Sequence, residues 1–112
     1  MNKLFAALFL VVISFSPLPA YCSSAVTAHV KSFGTYGNGN VWITLDSTID
    51  EPGCSGPYLE FPANGAANKA ILASAALALA TGASIVVQTD GCFNSVPSFT
   101  GARGAYFGVK TP

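Results

Sequence analysis

The sequence predicts a mainly β fold with one α-helix, and three observations lead to this prediction. Apolar and polar residues alternate through "AVTAHVKSF" and "VWITLD", which is the two-residue period of strands buried on one face. Turn-forming glycine and asparagine residues separate these stretches, as in "GTYGNGN". A single stretch, "KAILASAALALATG", is rich in the strong helix formers alanine and leucine.

The first two predicted strands, residues 25–33 and 41–46, form a β-hairpin. The Asn-Gly pair between them favours the positive φ angles of a hairpin turn. Their buried faces are expected to carry Val26, Ala28 and Val30 in the first strand and Val41, Ile43 and Leu45 in the second. Their wet faces are expected to carry Thr27, His29 and Lys31, and then Trp42, Thr44 and Asp46.

Three more strands and the helix complete the order β-β-β-α-β-β. A short third strand is predicted over residues 58–61, after a loop punctuated by proline and glycine. The helix is predicted to begin near Asn64, a good N-cap, and to end at Gly82, which suits the left-handed C-terminal position. A fourth strand covers residues 83–90, a loop covers residues 93–101, and a glycine-softened final strand covers residues 102–110.

This element order is that of a small five-stranded barrel of the OB type, the oligonucleotide/oligosaccharide-binding barrel, with its helix closing one end. We therefore predict an OB-type barrel. An open α+β sheet with the helix across one face is the alternative.

The first twenty residues are predicted to be a secretory signal peptide. A positive start, "MNK", precedes a twelve-residue stretch that is apolar except for Ser14, and then small residues suited to cleavage; the apolar run is too short to span a bilayer. Cleavage after Ala20 is the first choice, and cleavage after Cys22 or as late as Ser24 also fits. Residues 21–112 then form a single OB-like domain that is secreted or periplasmic.

Cys54 and Cys92 lie beyond every predicted cleavage point, in a compartment that permits disulfides, and we predict that they pair. The bond would add about 4 kcal/mol of stability on the chain-entropy model. Cys22 is either removed with the signal peptide or left as an odd thiol. A zinc site is not expected, because one histidine without Cys-x-x-Cys spacing falls short of four ligands. No cofactor is predicted.

The charge balance argues against several classes of partner. Beyond residue 20 the net charge is −1, from Lys31, Lys69, Arg103 and Lys110 against Asp46, Asp50, Glu51, Glu60 and Asp90. Without a basic patch, nucleic acid is not an expected partner. No basic amphipathic helix points to a membrane surface, and the helical apolar run is too short for a membrane span.

The predicted helix has two apolar faces. One arc is expected to cover the sheet, with Ile71, Leu72, Ala75, Ala76 and Leu79. The opposite arc carries no charge, and its members are Ala70, Ala73, Ser74, Leu77 and Ala80. Two interpretations stay open for this second arc. It meets copies of itself in an oligomer, or alanine is present because it is the best helix former.

Catalytic chemistry has little support in the sequence, and we predict that the protein is not an enzyme. His29 is the one histidine, and no local signature supplies it with a nucleophile and an orienting acid. Glu60 with Asp50 or Asp90 is the remaining candidate, as a carboxylate pair for glycosidic chemistry. A surface position is the simpler interpretation of His29.

Four aromatic rings with polar tips are candidates for sugar binding, because a sugar stacks its apolar face on a ring while nearby polar groups bind its hydroxyls. They are Tyr36, Trp42, Tyr58 and Tyr106. Tyr36 stands in a turn, where a core role is not expected. For Trp42 and Tyr106 the alternative is packing in the core or at an interface.

With these elements placed, the chain resembles the B subunits of the bacterial AB5 toxins, closest to those of subtilase cytotoxin and typhoid toxin. The resemblance is carried by "SSAVTAHVKSF", by a hairpin into "NGNVWITL", and by a helix running into "ATGASIVVQTDGC". It implies an OB-type barrel, a pentameric ring with helices lining a central pore, a catalytic A subunit as partner, and binding of sialylated glycans. It also places the glycan-contacting serine of that family at Ser24.

The sequence therefore predicts a secreted, non-catalytic binding module that recognises host glycans as a ring-shaped homo-oligomer. The candidate glycan-binding residues are Ser24, Tyr36, Trp42 and Tyr106, and the candidate oligomer face is Ala70, Ala73, Ser74 and Leu77. The alternative is an exported periplasmic structural or accessory protein without glycan affinity.

Overall fold

The computed structural model describes residues 24–101 and 104–110, and within them the fold is mainly β with one helix, as predicted. The elements are β1 (Val26–Ala28), β2 (Val30–Thr35), β3 (Val41–Ile49), β4 (Gly56–Phe61), α1 (Asn68–Thr81), β5 (Ile85–Gln88), β6 (Gly91–Phe93), β7 (Val96–Ser98) and β8 (Tyr106–Val109). The predicted signal peptide, residues 1–20, and Cys22 lie outside the described residues.

The strands form two three-stranded antiparallel sheets and a hairpin. One sheet has the order β2-β3-β4, the other has the order β1-β5-β8, and β6 pairs with β7. The first predicted strand contributes to both sheets, because His29 alone separates β1 from β2. Both sheets are open in the described residues. The structure therefore has eight strands where five were predicted. The first predicted strand is divided in two at His29, and the β6-β7 hairpin adds two more.

The core lies between the inner faces of the sheets and one side of α1. All six apolar side chains predicted to line the first hairpin are on this inner side, and five of them are fully buried. Helix α1 packs against β2, β3 and β8. The buried cluster is Ala28, Val30, Val41, Ile43, Leu45, Ile49, Leu59, Phe61, Ile71, Ala75, Ala78, Ile85 and Val87.

A β-bulge at Lys31 changes which side chains of β2 face outward. The register with β3 shifts between Val30 and Ser32, so two residues of β2 oppose one residue of its partner. Without the bulge, strict alternation would place Phe33 on the wet face with Lys31. With it, Phe33 packs partly against the core, and Ser32 and Gly34 lie on the outer face.

The N-cap of helix α1 is Ala67, three residues later than the predicted Asn64, and the helix ends where predicted. Asn64 is not the N-cap, because residues 62–65 form a turn in which the Gly65 amide donates to the Pro62 carbonyl. The Asn68 side chain also donates to the Pro62 carbonyl, at 2.8 Å. At the other end Gly82 adopts the left-handed conformation with φ of 75°, and its amide donates to the Ala78 carbonyl.

The core-facing side of α1 differs from the predicted arc. Ile71, Ala75 and Ala78 are buried, whereas Ala76 is exposed and Leu79 is 45 % exposed, so the prediction was wrong for Ala76 and Leu79. The small sheets contact only a narrow stripe of the helix. On the predicted oligomer face, three residues are exposed and one is half-buried: Ala70, Ala73 and Leu77, and then Ser74.

Residues 93–101 are not the predicted loop, because β6 and β7 form a hairpin there. Asn94 and Ser95 make its two-residue turn with φ of 52° and 67°, the positive angles that a tight hairpin turn requires. Strand β7 packs beside β4. The hairpin therefore carries its turn to the outer face of the β2-β3-β4 sheet.

The predicted disulfide between Cys54 and Cys92 is present, with 6.1 Å between the Cα atoms. It links the loop after β3 to β6. Close to it, the buried Glu51 carboxylate accepts a hydrogen bond from the Thr89 hydroxyl. The disulfide therefore anchors the β6-β7 hairpin to the rest of the fold.

Candidate functional site

The outer face of the β2-β3-β4 sheet carries two neighbouring rows of side chains. Strand pairing aligns Ser32, Thr44 and Tyr58 in one row. It aligns Gly34, Trp42 and Glu60 in the next row. Between the rows, Ile43 and Leu59 point inward and are fully buried. The period of the strands therefore brings a tyrosine, a tryptophan and a carboxylate to one surface.

An aromatic pocket of about 350 Å³ opens on this surface. The rings of Tyr36 and Trp42 lie 6.4 Å apart between centroids and are tilted by 50° to each other. Tyr36 and Tyr58 are each 51 % exposed, so both rings are available to a ligand. We call this the Trp42 pocket, and its lining residues are Tyr36, Trp42, Tyr58, Leu59, Glu60 and Val96.

The indole of Trp42 lies across β2 because the residue opposite it is a glycine. A Cβ atom added at Gly34 would lie 2.8 Å from Cζ2 and 3.1 Å from Cε2 of the indole. Such distances are shorter than van der Waals contact, which is about 3.5 to 4.0 Å between carbon atoms. Any larger residue at position 34 therefore displaces the tryptophan ring.

The Glu60 carboxylate is held in place by two amides. Asn40 Nδ2 donates to Oε2 at 3.2 Å, and Asn94 Nδ2 donates to the same oxygen at 2.9 Å. Asn40 is itself fixed, because its Oδ1 accepts from the Ala63 amide at 3.0 Å. Among the described residues, no hydrogen bond reaches Oε1 and no cation pairs with the carboxylate. Glu60 therefore presents one oriented acceptor oxygen.

A second pocket, of about 380 Å³, lies on the other side of Tyr58. The hydroxyls of Ser32 and Thr44 hydrogen-bond to each other on its floor. We call this the hydroxyl pocket, and its lining residues are Lys31, Ser32, Thr44, Leu45, Pro57 and Tyr58. Tyr58 lines both pockets, so they are neighbours on the same face of the sheet.

The structure brings together two of the four predicted glycan-binding residues. Tyr36 and Trp42 line the same pocket, whereas Tyr106 lies on β8 opposite Gln88 in the other sheet. Ser24 is exposed at the start of the described residues and lines neither pocket.

Two polar residues of the Trp42 pocket were not placed beside Tyr36 and Trp42 by the sequence. Tyr58 was only one of the four candidate rings, and Glu60 was considered only as part of a catalytic carboxylate pair. Both alternate with buried residues in "YLEF" and so face outward together. The period of this short strand was the available signal. Asn94 was not predicted either, because residues 93–101 were predicted as a loop.

The candidate catalytic groups have separate partners. His29 Nδ1 lies 3.0 Å from Asp46 Oδ2, and the His29 backbone amide donates to Asp46 Oδ1 at 2.7 Å. That backbone hydrogen bond, followed by the histidine side chain, lowers the pKa of Asp46 below its ordinary value of 3.8. The Asp50 carboxylate accepts from Ser55, and the Asp90 carboxylate accepts from the Thr100 amide.

The described residues contain no group of three potential metal ligands. Within the same residues, α1 lacks the length for a transmembrane helix and no other helix is present. No family model matches this chain, and no curated protein or solved structure shows significant similarity to it.

Proposed function

We propose that this protein is an exported, non-catalytic carbohydrate-binding module whose glycan lies in the Trp42 pocket. One observation carries the proposal: three exposed or half-exposed rings line a pocket with an oriented carboxylate, one oxygen of which has no partner among the described residues. Aromatic rings offer an apolar surface to the C–H face of a sugar, and a fixed acceptor binds its hydroxyls. The disulfide is in keeping with an exported protein, because such bonds persist in oxidising compartments.

Glycan-array screening followed by calorimetry tests this function. The variant is Trp42→Ala, and the matched control is Tyr106→Ala, which removes a ring that is 46 % exposed but lies in the other sheet. We expect Trp42→Ala to weaken binding at least about tenfold, which is about 1.4 kcal/mol. Tyr36→Ala should weaken binding in the same direction. Equal loss in Trp42→Ala and Tyr106→Ala would argue against this pocket.

The proposal extends to an OB-type barrel. The strand order β4-β3-β2 continues through the single residue His29 into β1-β5-β8, and α1 lies between β4 and β5 along the chain. This is the succession of strands expected of such a barrel, with β4 and β8 as the edges that would meet. An experimental structure in which β4 and β8 do not approach each other would contradict it.

A ring-shaped homo-oligomer, such as the pentamer of an AB5 toxin with its A subunit, is the second part of the proposal. Its support is the outer side of α1, where Leu77 is 54 % exposed and Leu79 is 45 % exposed. Lys69 is the one charged residue of this helix. The same apolar face also favours the alternative, an exported accessory protein that binds a partner and no glycan. Light scattering detects the oligomer, and the glycan screen separates the two functions.

A further inference from the structure

The Trp42 pocket holds a negative charge, and this bears on which sugars it accepts. Among the described residues that line it, Glu60 is the one with a formally charged side chain. Both side-chain amides that reach Glu60 donate to Oε2, so they orient the carboxylate without neutralising its charge. A sugar hydroxyl can donate a charge-assisted hydrogen bond to Oε1. A sugar carboxylate is repelled by the Glu60 carboxylate, because both are negatively charged.

The two pockets together are also longer than one sugar. Residues two apart on a strand are separated by about 7 Å, so the row with Tyr58 and the row with Trp42 are about one sugar residue apart. The hydroxyl pocket offers Ser32 and Thr44 as donors and acceptors, and Lys31 as a donor. Tyr58 between the pockets provides a ring beside the linkage.

We infer that the ligand is a neutral oligosaccharide of at least two sugars that crosses Tyr58, with one sugar in each pocket. This inference rests on the proposed function and specifies the class of ligand. The Trp42 pocket binds an uncharged sugar by stacking and by hydrogen bonds from its hydroxyls to Glu60. The hydroxyl pocket binds the next sugar through Ser32, Thr44 and the Lys31 ammonium, without an aromatic ring beneath the sugar. Sialylated glycans, the ligands implied by the toxin resemblance, are disfavoured in the Trp42 pocket.

Calorimetry with defined sugars tests both the length and the charge of the ligand. The probes are gluco-, galacto- and chito-oligosaccharides of one to four units, and lactose against sialyllactose as a neutral and acidic pair. In the neutral series that binds most tightly, we expect the disaccharide to bind at least about tenfold more tightly than the monosaccharide. The trisaccharide and tetrasaccharide should bind little more tightly than the disaccharide. Lactose should bind more tightly than sialyllactose.

Two variants separate the pockets. Glu60→Gln keeps an acceptor for Asn40 and Asn94 but removes the charge. It should weaken the binding of neutral sugars about fivefold, because charge-assisted hydrogen bonds are roughly twice as strong as neutral ones. It should also reduce the ratio of the affinity for neutral sugars to the affinity for acidic sugars. The double variant Ser32→Ala/Thr44→Val removes both members of a hydrogen-bonded pair. It should weaken disaccharides and leave monosaccharide affinity unchanged.

The outcomes distinguish this inference from the proposed function. Two outcomes overturn the inference and leave the proposed function standing, provided that sugar binding depends on Trp42. The affinity is equal for one-unit and two-unit sugars, or sialyllactose binds more tightly than lactose. If choline displaces the neutral sugar at similar affinity, the inference is also overturned, because the aromatic rings and the carboxylate would then form a site for a cation. Absence of any sugar binding that depends on Trp42 overturns both.

Discussion

Gly34 controls the Trp42 pocket without contributing a side chain, and Gly34→Ala tests this directly. The added Cβ atom would meet the indole at 2.8, 3.1 and 3.3 Å, at Cζ2, Cε2 and Nε1. To restore van der Waals contact, the rigid ring must retreat by about 1 Å. Gly34 does not adopt a positive φ, so the backbone itself accepts alanine.

The expected effect on stability is small, and the expected effect on binding is large. Moving Trp42 off its preferred rotamer costs about 0.5–1.5 kcal/mol. Replacing glycine by alanine stabilises the protein by about 0.4–1 kcal/mol, because it reduces the conformational entropy of the unfolded chain. The free energy of unfolding should therefore change by less than about 1 kcal/mol. Loss of ring stacking on the sugar should weaken binding by up to about tenfold.

The chain contains one tryptophan, so intrinsic fluorescence reports this ring alone. We expect Gly34→Ala to shift the emission maximum and weaken sugar binding, while the urea midpoint changes little. Gly56→Ala is the matched control, because a Cβ atom at this position of the same sheet meets nothing within 4 Å. If Gly34→Ala keeps both wild-type emission and wild-type affinity, the position of the indole does not depend on this glycine, and Gly34 does not shape the pocket.

Three other perturbations have defined outcomes. Replacing Cys54 and Cys92 by serine should lower the free energy of unfolding by about 4 kcal/mol, measured by urea denaturation, because the loop closed by the bond spans 38 residues. An unchanged midpoint would show that the bond does not constrain the unfolded chain. The pKa of Asp46 is lowered in the folded protein, so its carboxylate favours folding above its ordinary pKa, and this contribution is lost as the pH falls through the lowered value. NMR titration should place that pKa below 3.8, and Asp46→Asn should flatten the acid dependence of stability; a titration at or above 3.8 contradicts the His29 contact. Leu77→Lys should convert the proposed oligomer to monomer in light scattering with little change in the urea midpoint, because this side chain is 54 % exposed in a single copy. A wild-type protein that is already monomeric at micromolar concentration removes the ring from the proposal.

Local periodicity was a good guide where one face of an element meets the core. In β3, the alternation of Val41, Ile43 and Leu45 with polar neighbours correctly predicted which side chains are buried. Gly82 correctly marked the end of α1, because few residues other than glycine adopt the left-handed conformation without strain. The Cys54–Cys92 pairing was predicted because these are the two cysteines that lie beyond every predicted cleavage point, and the structure contains this bond.

Local patterns failed where a neighbouring element decides the outcome. Asn64 has the chemistry of an N-cap, but the turn at Pro62 and Gly65 places it outside the helix. The core-facing side of α1 could not be fixed from the sequence, since both of its arcs are apolar, and the stripe that the sheets bury includes Ala78, which belongs to neither arc. As a result, Leu79 was wrongly assigned to the core.

The sequence by itself determined the elements that depend on nearest neighbours: a mainly β chain, one helix with its C-terminus, the buried face of the first hairpin and the outward side of Trp42. The tertiary structure decided how these elements combine into a site. The bulge at Lys31 turns Gly34 beneath the indole, and the β6-β7 hairpin carries Asn94 to Glu60 across 34 residues of chain. Register shifts and contacts between distant residues depend on how whole sheets pack, and the spacing of neighbouring side chains does not encode them.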